Sequence, residues 1–297
     1  MRSILTLVGD ATAADLTADL ISRAHAALAG IGVAPGEPDW LAEHIACDIA
    51  FQGDAPSALE AVRAALDGAP VDAWAQPAVG RRKRLLVADM DSTIVACETL
   101  DELAAFAGLK DKIAAITART MNGEIDFPTA LRERVAMLTG LPEDALCRTL
   151  AGIRLNPGAR TLVMTMRAHG AFTALVSGGF RWFTRRIAEA AGFDHDEAND
   201  LLVEDGRIVG RVREPILDRD AKLALLRRLA AERGIAPHET LAVGDGANDL
   251  PMLLAAGLGV AYRAKPVVAA AVPCRIDHAD LTALLYLQGY RRDEFVT

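Results

Sequence analysis

The sequence predicts an α/β protein: a doubly wound, Rossmann-like parallel-sheet core with a helical cap insertion, preceded by an N-terminal ferredoxin-like α+β domain. Three observations carry this. Continuous apolar runs at 85–88, 172–176 and 241–243 suit strands buried on both faces, and they alternate with helical patterns ending at Gly170, Gly192 and Gly234. The first two runs stand about 80 residues apart where a βαβ unit needs about 30, so residues 100–155 form an insertion. Upstream, the first 75 residues follow a β-α-β-β-α-β order. The expected division is a domain over 1–77, a linker over 78–84, and a second domain over 85–297 with its cap at about 100–155.

Each element has its own signal. Residues 4–8, Ile-Leu-Thr-Leu-Val, read as a short strand, and Leu16, Leu20, Ile21, Ala24 and Leu28 recur at helical spacing up to Gly30. Weaker strands are expected near 32–39 and 44–51, then a helix with Leu59, Val62, Ala65 and Leu66 on one face, then a closing strand at 71–75. Pro77 and Gly80 mark a joint, and the basic run Arg81-Arg82-Lys83-Arg84 reads as its solvated part. Leu103, Phe106, Ile113, Ile116, Leu131, Val135 and Leu138 make the insertion helical. Placed after the first core strand, it lies over the carboxyl edge of the sheet, where open α/β folds bind ligands, and is a candidate lid. Helices are expected at 159–169, 180–191 and 221–233, a hairpin over 201–212 with its turn at Asp205-Gly206, and a weaker strand at 258–261.

Composition narrows the function classes. Of 297 residues, 52% are hydrophobic and 24% charged, enough apolar surface to offset chain entropy, so a disordered or collagen-like chain is excluded. The 32 Lys+Arg against 40 Asp+Glu leave a net charge of −8, which disfavours nucleic acid as a partner. No apolar run approaches the roughly 20 residues that cross a bilayer, and Met1-Arg2-Ser3-Ile4-Leu5 opens no signal peptide, so the chain reads as soluble and cytoplasmic, with no membrane partner. Four cysteines, Cys47, Cys97, Cys147 and Cys274, are too widely spaced for a zinc site and are expected to be buried, reduced thiols. None of the six histidines lies in a motif or at ligand spacing.

The chemistry concentrates at strand ends. Asp89-Met90-Asp91-Ser92-Thr93 ends the first core strand, and two carboxylates two residues apart project to one side, where they repel unless a cation or proton intervenes. A hard cation such as Mg²⁺ would relieve that repulsion. Gly244-Asp245-Gly246-Ala247-Asn248-Asp249 follows a second buried strand at the same edge, and it lacks the third glycine of a dinucleotide fingerprint. Ser177-Gly178-Gly179 is expected to open a helix whose free N–H groups seat a phosphate. Lys222, at the start of a helix, either holds a phosphoryl oxygen or is an ordinary exposed lysine.

With these four motifs in this order, the chain resembles the haloacid-dehalogenase-like phosphatases: Asp89-x-Asp91-x-Thr93, Ser177-Gly178, Lys222 and Gly244-Asp245-x-x-Asn248-Asp249. Within that group, Glu98, Met121-Asn122-Gly123, Phe127, Leu131-Arg132-Glu133-Arg134-Val135 and Val176 to Phe180 make it similar to the phosphoserine phosphatases. The resemblance covers about residues 84–290 and implies Mg²⁺-dependent hydrolysis of O-phospho-L-serine, the last step of serine synthesis, or of another small ester such as phosphohomoserine. It implies Asp89 as nucleophile, Asp91 as general acid and base, and Mg²⁺ on Asp89, the Asp91 carbonyl and Asp245, with Asp249 orienting water or Lys222. Glu98 would take the substrate ammonium and Arg134 its carboxylate; the other reading of Arg134 is a helix-surface arginine paired with Glu133 or Asp126. Ser177, Gly178, Lys222 and Asn248 would hold the phosphate, with Asn248 alternatively bonded to Ser177. Met121 and Phe127 either line the pocket or pack the core. The element order of the first 75 residues is similar to that of ACT-like domains, without their Asp-x-Pro-Gly turn, and suits a dimerisation or structural role.

Overall fold

The computed structural model describes residues 2–13, 15–121 and 124–297, apart from the side chains at positions 114, 118, 120, 121 and 219. The N-terminal unit runs β1 (Arg2–Val8), α1 (Ala18–Gly30), β2 (Pro35–Ala42), β3 (Ala46–Gln52), α2 (Ala55–Ala65) and β4 (Asp72–Pro77). Thr17 starts α1 by accepting the Leu20 N–H at 3.4 Å, and Asp54 starts α2 by accepting that of Ser57 at 3.0 Å. The strands form an antiparallel sheet in the order β2-β3-β1-β4, the ferredoxin-like arrangement. Leu5, Leu7, Ile49 and Phe51 point to the two helices, whose apolar stripes include Leu20, Leu28, Leu59 and Val62. Pro35 and Pro38 are tolerated because β2 is an edge strand and need not donate to a second neighbour.

The second unit begins with β5 (Leu85–Asp89) and the cap helices α3 (Thr99–Phe106), α4 (Lys110–Met121), α5 (Phe127–Ala136) and α6 (Asp144–Gly152). It continues with α7 (Ala159–Ala168), β6 (Phe172–Phe180), α8 (Arg181–Ala191), β7 (His195–Asn199) and the hairpin β8 (Leu201–Glu204) and β9 (Arg207–Val212). The remainder is α9 (Arg219–Glu232), β10 (Thr240–Gly244), α10 (Leu250–Ala255), β11 (Leu258–Tyr262), α11 (Pro266–Ala271), β12 (Cys274–Ile276) and α12 (Ala283–Leu287). Six strands make a parallel sheet in the order β12-β11-β10-β5-β6-β7. From β5 the chain builds outward to β7, then crosses back to β10 and builds the other way, so the order reverses between β5 and β10. That is the crevice where doubly wound sheets bind ligands. One face of the sheet is covered by α9 to α11 through Leu225, Leu229, Met252 and Val268, and the other by α7, α8, α12 and the cap.

Asp205 and Gly206 adopt φ of +50° and +69°, the positive angles a primed hairpin turn requires, and the hairpin pairs with the cap through Gly140 N–H to Ile208 C=O at 2.8 Å. The cap's two connections lie side by side: Ala96 N–H donates to Arg154 C=O at 3.0 Å, Asn156 N–H to Ile94 C=O at 2.8 Å, and the Asn156 amide to Thr93 C=O at 2.7 Å. Gly158 follows with φ +79°, and a Cβ there would stand 2.6 Å from the Thr282 backbone nitrogen, so both conformation and space demand glycine.

Three expectations are corrected. The basic run is not simply solvated. Arg81 forms a largely buried two-pronged pair with Asp48 at 2.5 and 3.1 Å and donates to the Tyr286 and Leu287 carbonyls, while the buried Lys83 donates to Gly80 and His238 carbonyls at 2.8 Å. Only Arg82 and Arg84 face outward, toward Glu294 and Glu239. The extended backbone alternates its side chains, so half the run points into the joint between the two sheets. Second, no strand is expected between the 180–191 helix and the 201–212 hairpin, yet β7 forms there with the polar sequence His-Asp-Glu-Ala-Asn; as an edge strand its side chains find partners in Thr184, Arg181 and Arg228 rather than in a core. Third, of the cysteines only Cys47 and Cys274 are buried, Cys147 being exposed on α6 and Cys97 half-buried. No helix among the described residues is long and apolar enough to cross a membrane.

Candidate active site

The parallel pairing of β5 with β10 brings Asp89, the last residue of one strand, beside Asp245, the first residue after the other. Between Asp89 and the cap the chain makes a tight turn, with Ser92 at φ +56° and Val95 N–H donating to Met90 C=O at 3.0 Å. Asp249 enters the same crevice because Gly246 turns the chain back, its N–H donating to Asp249 Oδ2 at 3.0 Å. Oxygens of Asp89, Asp245 and Asp249 lie within 4.8 Å of one another, and all three residues are buried.

Lys222 is the counter-charge. Only 1% exposed, it donates from Nζ to Asp89 Oδ1 at 2.5 Å and Asp249 Oδ1 at 2.6 Å, so the alternative of an ordinary exposed lysine is excluded. Burial works against its charge, but the two carboxylates outweigh it and raise its pKa. Three carboxylates face this buried ammonium and one looser, half-exposed one, Lys265, 3.6 Å from Asp245. Burial and Asp249 push the Asp89 carboxyl well above the ordinary range, with Lys222 only partly offsetting them. Burial lifts Asp245 to about 6 against the pull of Lys265. This excess of buried negative charge, all in oxygen ligands, fits a divalent hard cation. Both Asp249 oxygens are already bonded, one to Lys222 and one to Gly246, which leaves Asp89 and Asp245 the freer ligands.

Asp91 also lines the cavity but serves the cap side. Its Oδ1 accepts the Thr99 N–H at 2.8 Å and its Oδ2 the Ser177 hydroxyl at 3.0 Å, while burial and the nearby Glu98 raise its pKa to about 6. Ser177, Gly178 and Gly179 belong to the extended end of β6, and α8 starts only at Arg181. The expected seat at a helix N-terminus is therefore corrected to a strand end, because the Ser177 hydroxyl captures the Gly179 N–H at 2.9 Å and delays the helix. Asn248 lines the cavity beside them, and the Ser177 hydroxyl is directed to Asp91.

The cap closes the opposite wall with Glu98, Leu100, Phe127, Leu131 and Arg134 around a cavity of about 110 Å³. Glu98 accepts the Ser92 hydroxyl at 2.8 Å. Arg134 is half-buried, bonds from Nε to Ala130 C=O in its own helix at 3.3 Å, and makes no ion pair among the described residues; Glu133 instead pairs with Arg119 and Arg132 with Glu214. Burial lowers its pKa, with Asp101 and Glu98 opposing. Phe127 packs onto the cavity floor, where a Cβ on Gly178 would be 3.0 Å from its Cζ. The Met121 side chain lies outside the described residues.

The site thus brings together Asp89, Asp91, Glu98, Arg134, Ser177, Gly178, Asp245 and Asn248 around one cavity, with Lys222 beneath it. Sequence reasoning missed Lys265, which lines the same cavity. Its signal was its position after the weak strand at 258–261, at the carboxyl edge that also carries the aspartates.

Residues 86–254 match the family model of haloacid dehalogenase-like hydrolases. The chain is 47% identical over 214 residues to a phosphoserine phosphatase of Streptomyces coelicolor, an alignment covering 72% of this chain and 52% of that protein, so the chain spans about half the length of that relative. It is 46% identical over 199 residues to the phosphoserine phosphatase of Streptococcus thermophilus, covering 67% of this chain and 93% of the other. Among solved structures, a probable phosphoserine phosphatase from Vibrio cholerae superposes with a TM-score of 0.81 at 30% identity, over 98% of this chain and 88% of its own.

Proposed function

Because the chain belongs to the haloacid dehalogenase-like hydrolase family, we propose that it hydrolyses O-phospho-L-serine to L-serine and inorganic phosphate through a phosphoryl group carried on Asp89. The observation that carries the substrate is the cavity itself. A carboxylate, Glu98, and a guanidinium, Arg134, that makes no ion pair among the described residues share its cap wall, opposite Asp89 and Asp91. Such a pair suits the ammonium and carboxylate of an amino acid whose phosphate points to the sheet edge. At about 110 Å³ the space is well below that of a drug-sized or nucleotide pocket.

Lys222 holds one oxygen of Asp89 and leaves the other to attack phosphorus. As the Asp89 oxygen–phosphorus bond forms, the bond from phosphorus to the serine oxygen breaks, and Asp91 gives its proton to that oxygen. Water then attacks phosphorus, Asp91 takes the water proton back, and the Asp89 carboxylate leaves. A carboxyl at about 6 suits both halves, since it is within reach of either protonation state at neutral pH. Ser177 and Thr99 hold Asp91 in place. Ser177, Gly178 and Asn248 lie where the phosphoryl oxygens would rest. Asp89 and Asp245, with the Asp91 carbonyl, would hold Mg²⁺, which neutralises charge on the phosphoryl group when bound. The N-terminal unit is assigned as an ACT-like domain on its element order, with the domain boundary in residues 78–84.

The test is phosphate release from L-phosphoserine, D-phosphoserine, phosphohomoserine, phosphothreonine and p-nitrophenyl phosphate, each with Mg²⁺ and with EDTA. A Mg²⁺-dependent preference for L-phosphoserine is expected. Preference for phosphohomoserine would move the substrate while keeping the chemistry, and activity insensitive to EDTA would overturn the metal assignment.

A further inference from the structure

The motifs leave one cation of the cavity without a role. Lys265 stands between β11 and α11, at the carboxyl edge that also presents Asp89 and Asp245. Its N–H donates to Asp245 C=O at 3.0 Å, and its Nζ lies 3.6 Å from Asp245 Oδ2. The chain is aimed there by an unusual backbone. Arg263, two residues earlier, has φ +43°, rare outside glycine, and is held by its N–H to Ile276 C=O at 2.8 Å, while Pro266 opens α11 immediately after.

The three cations at this cavity differ in freedom. Lys222 is locked between two carboxylates at hydrogen-bond distance and is fully buried. Arg134 stands on the cap wall, beside Glu98. The Lys265 side chain is 52% exposed, and its contact with Asp245 exceeds hydrogen-bond length. It is therefore the ammonium able to change partner at the end of the cavity where a phosphate would lie. A flexible lysine is a point charge suited to a phosphoryl oxygen, whereas the fork of Arg134 suits a planar carboxylate.

We propose that Lys265 is a phosphate-binding residue of this site: its ammonium rests on Asp245 in the empty enzyme and moves to a phosphoryl oxygen when a phosphate ester or inorganic phosphate enters. This rests on the phosphatase reading above and adds a consequence to it. In the empty enzyme Lys265 competes with a divalent cation for Asp245, and in the loaded enzyme it adds to anion binding.

The two effects have opposite signs, which makes the test specific. Lys265→Met and Lys265→Arg are compared with the wild type by calorimetric titration of metal-free enzyme with Mg²⁺, and by competitive inhibition by inorganic phosphate at saturating Mg²⁺. Lys265→Met should bind Mg²⁺ several-fold more tightly and phosphate about tenfold more weakly, with the KM for L-phosphoserine rising by a similar factor. Lys265→Arg should recover most of the phosphate affinity. If Lys265 only supports its loop, Lys265→Met weakens both ligands together or neither, and the assignment is overturned. Wild-type enzyme that hydrolyses no phosphate ester defeats the underlying reading, whereas an active wild type with unchanged Lys265→Met affinities defeats this inference alone.

Discussion

Replacing Lys222 by Met removes the ammonium while roughly preserving the aliphatic stem. In the wild type Nζ lies 2.5 Å from Asp89 and 2.6 Å from Asp249, whose side chains are 7% and 0% exposed, so water cannot replace the contact to Asp249 and reaches Asp89 only from the cavity. The variant must leave a buried carboxylate unpaired or protonate it. Protonating a carboxyl of ordinary pKa 3.8 at neutral pH costs about 4 kcal/mol, within the ~3–5 kcal/mol typical of breaking a buried pair. Burial already holds Asp89 above the ordinary range, so part of that cost exists in the wild type, and the expected loss is about 3 kcal/mol, roughly a 5–7 °C fall in Tm. The assay is thermal unfolding in EDTA at about pH 7.5 and about pH 5. In the variant the Asp89 carboxyl pKa rises further above its unfolded value, so the penalty is greatest at high pH and shrinks as pH falls and a proton replaces the lysine. Added Mg²⁺ should stabilise the variant more than the wild type. Equal Tm values in EDTA near pH 7.5, or a deficit that does not change with pH, would refute the electrostatic account, because a purely steric loss carries no proton dependence.

Asp89→Asn should lower turnover by at least about a thousandfold and leave no phosphoryl group on the protein after acid quenching of a reaction, detected by mass spectrometry; retained activity would rule out the nucleophile. Arg134→Ala should raise KM for L-phosphoserine about ten- to a hundredfold while leaving p-nitrophenyl phosphate, which has no carboxylate, unaffected; equal losses on both would deny carboxylate recognition. Because burial lifts Asp245 to about 6, protons occupy the cation site below that pH, and apparent Mg²⁺ affinity measured calorimetrically should fall about tenfold per pH unit there, a slope that should be shallower in Asp245→Asn; an unchanged slope would deny Asp245 as a ligand. Gly158→Ala places a Cβ against the Thr282 backbone at a positive φ and should cost about 2 kcal/mol or more in urea unfolding, whereas an unchanged midpoint would show that the close approach relaxes.

Which strands are buried, where the cap is inserted and which aspartates end the strands were legible because each is written locally: continuous apolar runs at 85–88 and 241–243, an 80-residue gap of about that length between core strands, and acidic residues directly after each run. The Asp205-Gly206 turn was legible for the same reason, since positive φ is a property of two residues. The strand β7 was not, because its stability comes from partners on α8 and α9 rather than from its own pattern. The inward turn of Arg81 and Lys83 was hidden as well: a basic run looks solvated until a second surface, here β3, α12 and the loop at His238, is packed against alternate members of it.

The sequence by itself determined the architecture and the residue types of the site, since hydrophobic period and strand-end motifs are short-range properties. Only the tertiary structure decided which charges are paired. It showed that Lys222 is locked between Asp89 and Asp249, that Arg134 rather than Arg132 or Glu133 lines the cavity, that the Ser177 hydroxyl serves Asp91 and Gly179, and that Lys265 joins the site at all. Those pairings join residues up to 133 positions apart, and electrostatic strength depends on distance and burial, which come into being only when the sheet brings its strand ends to one edge.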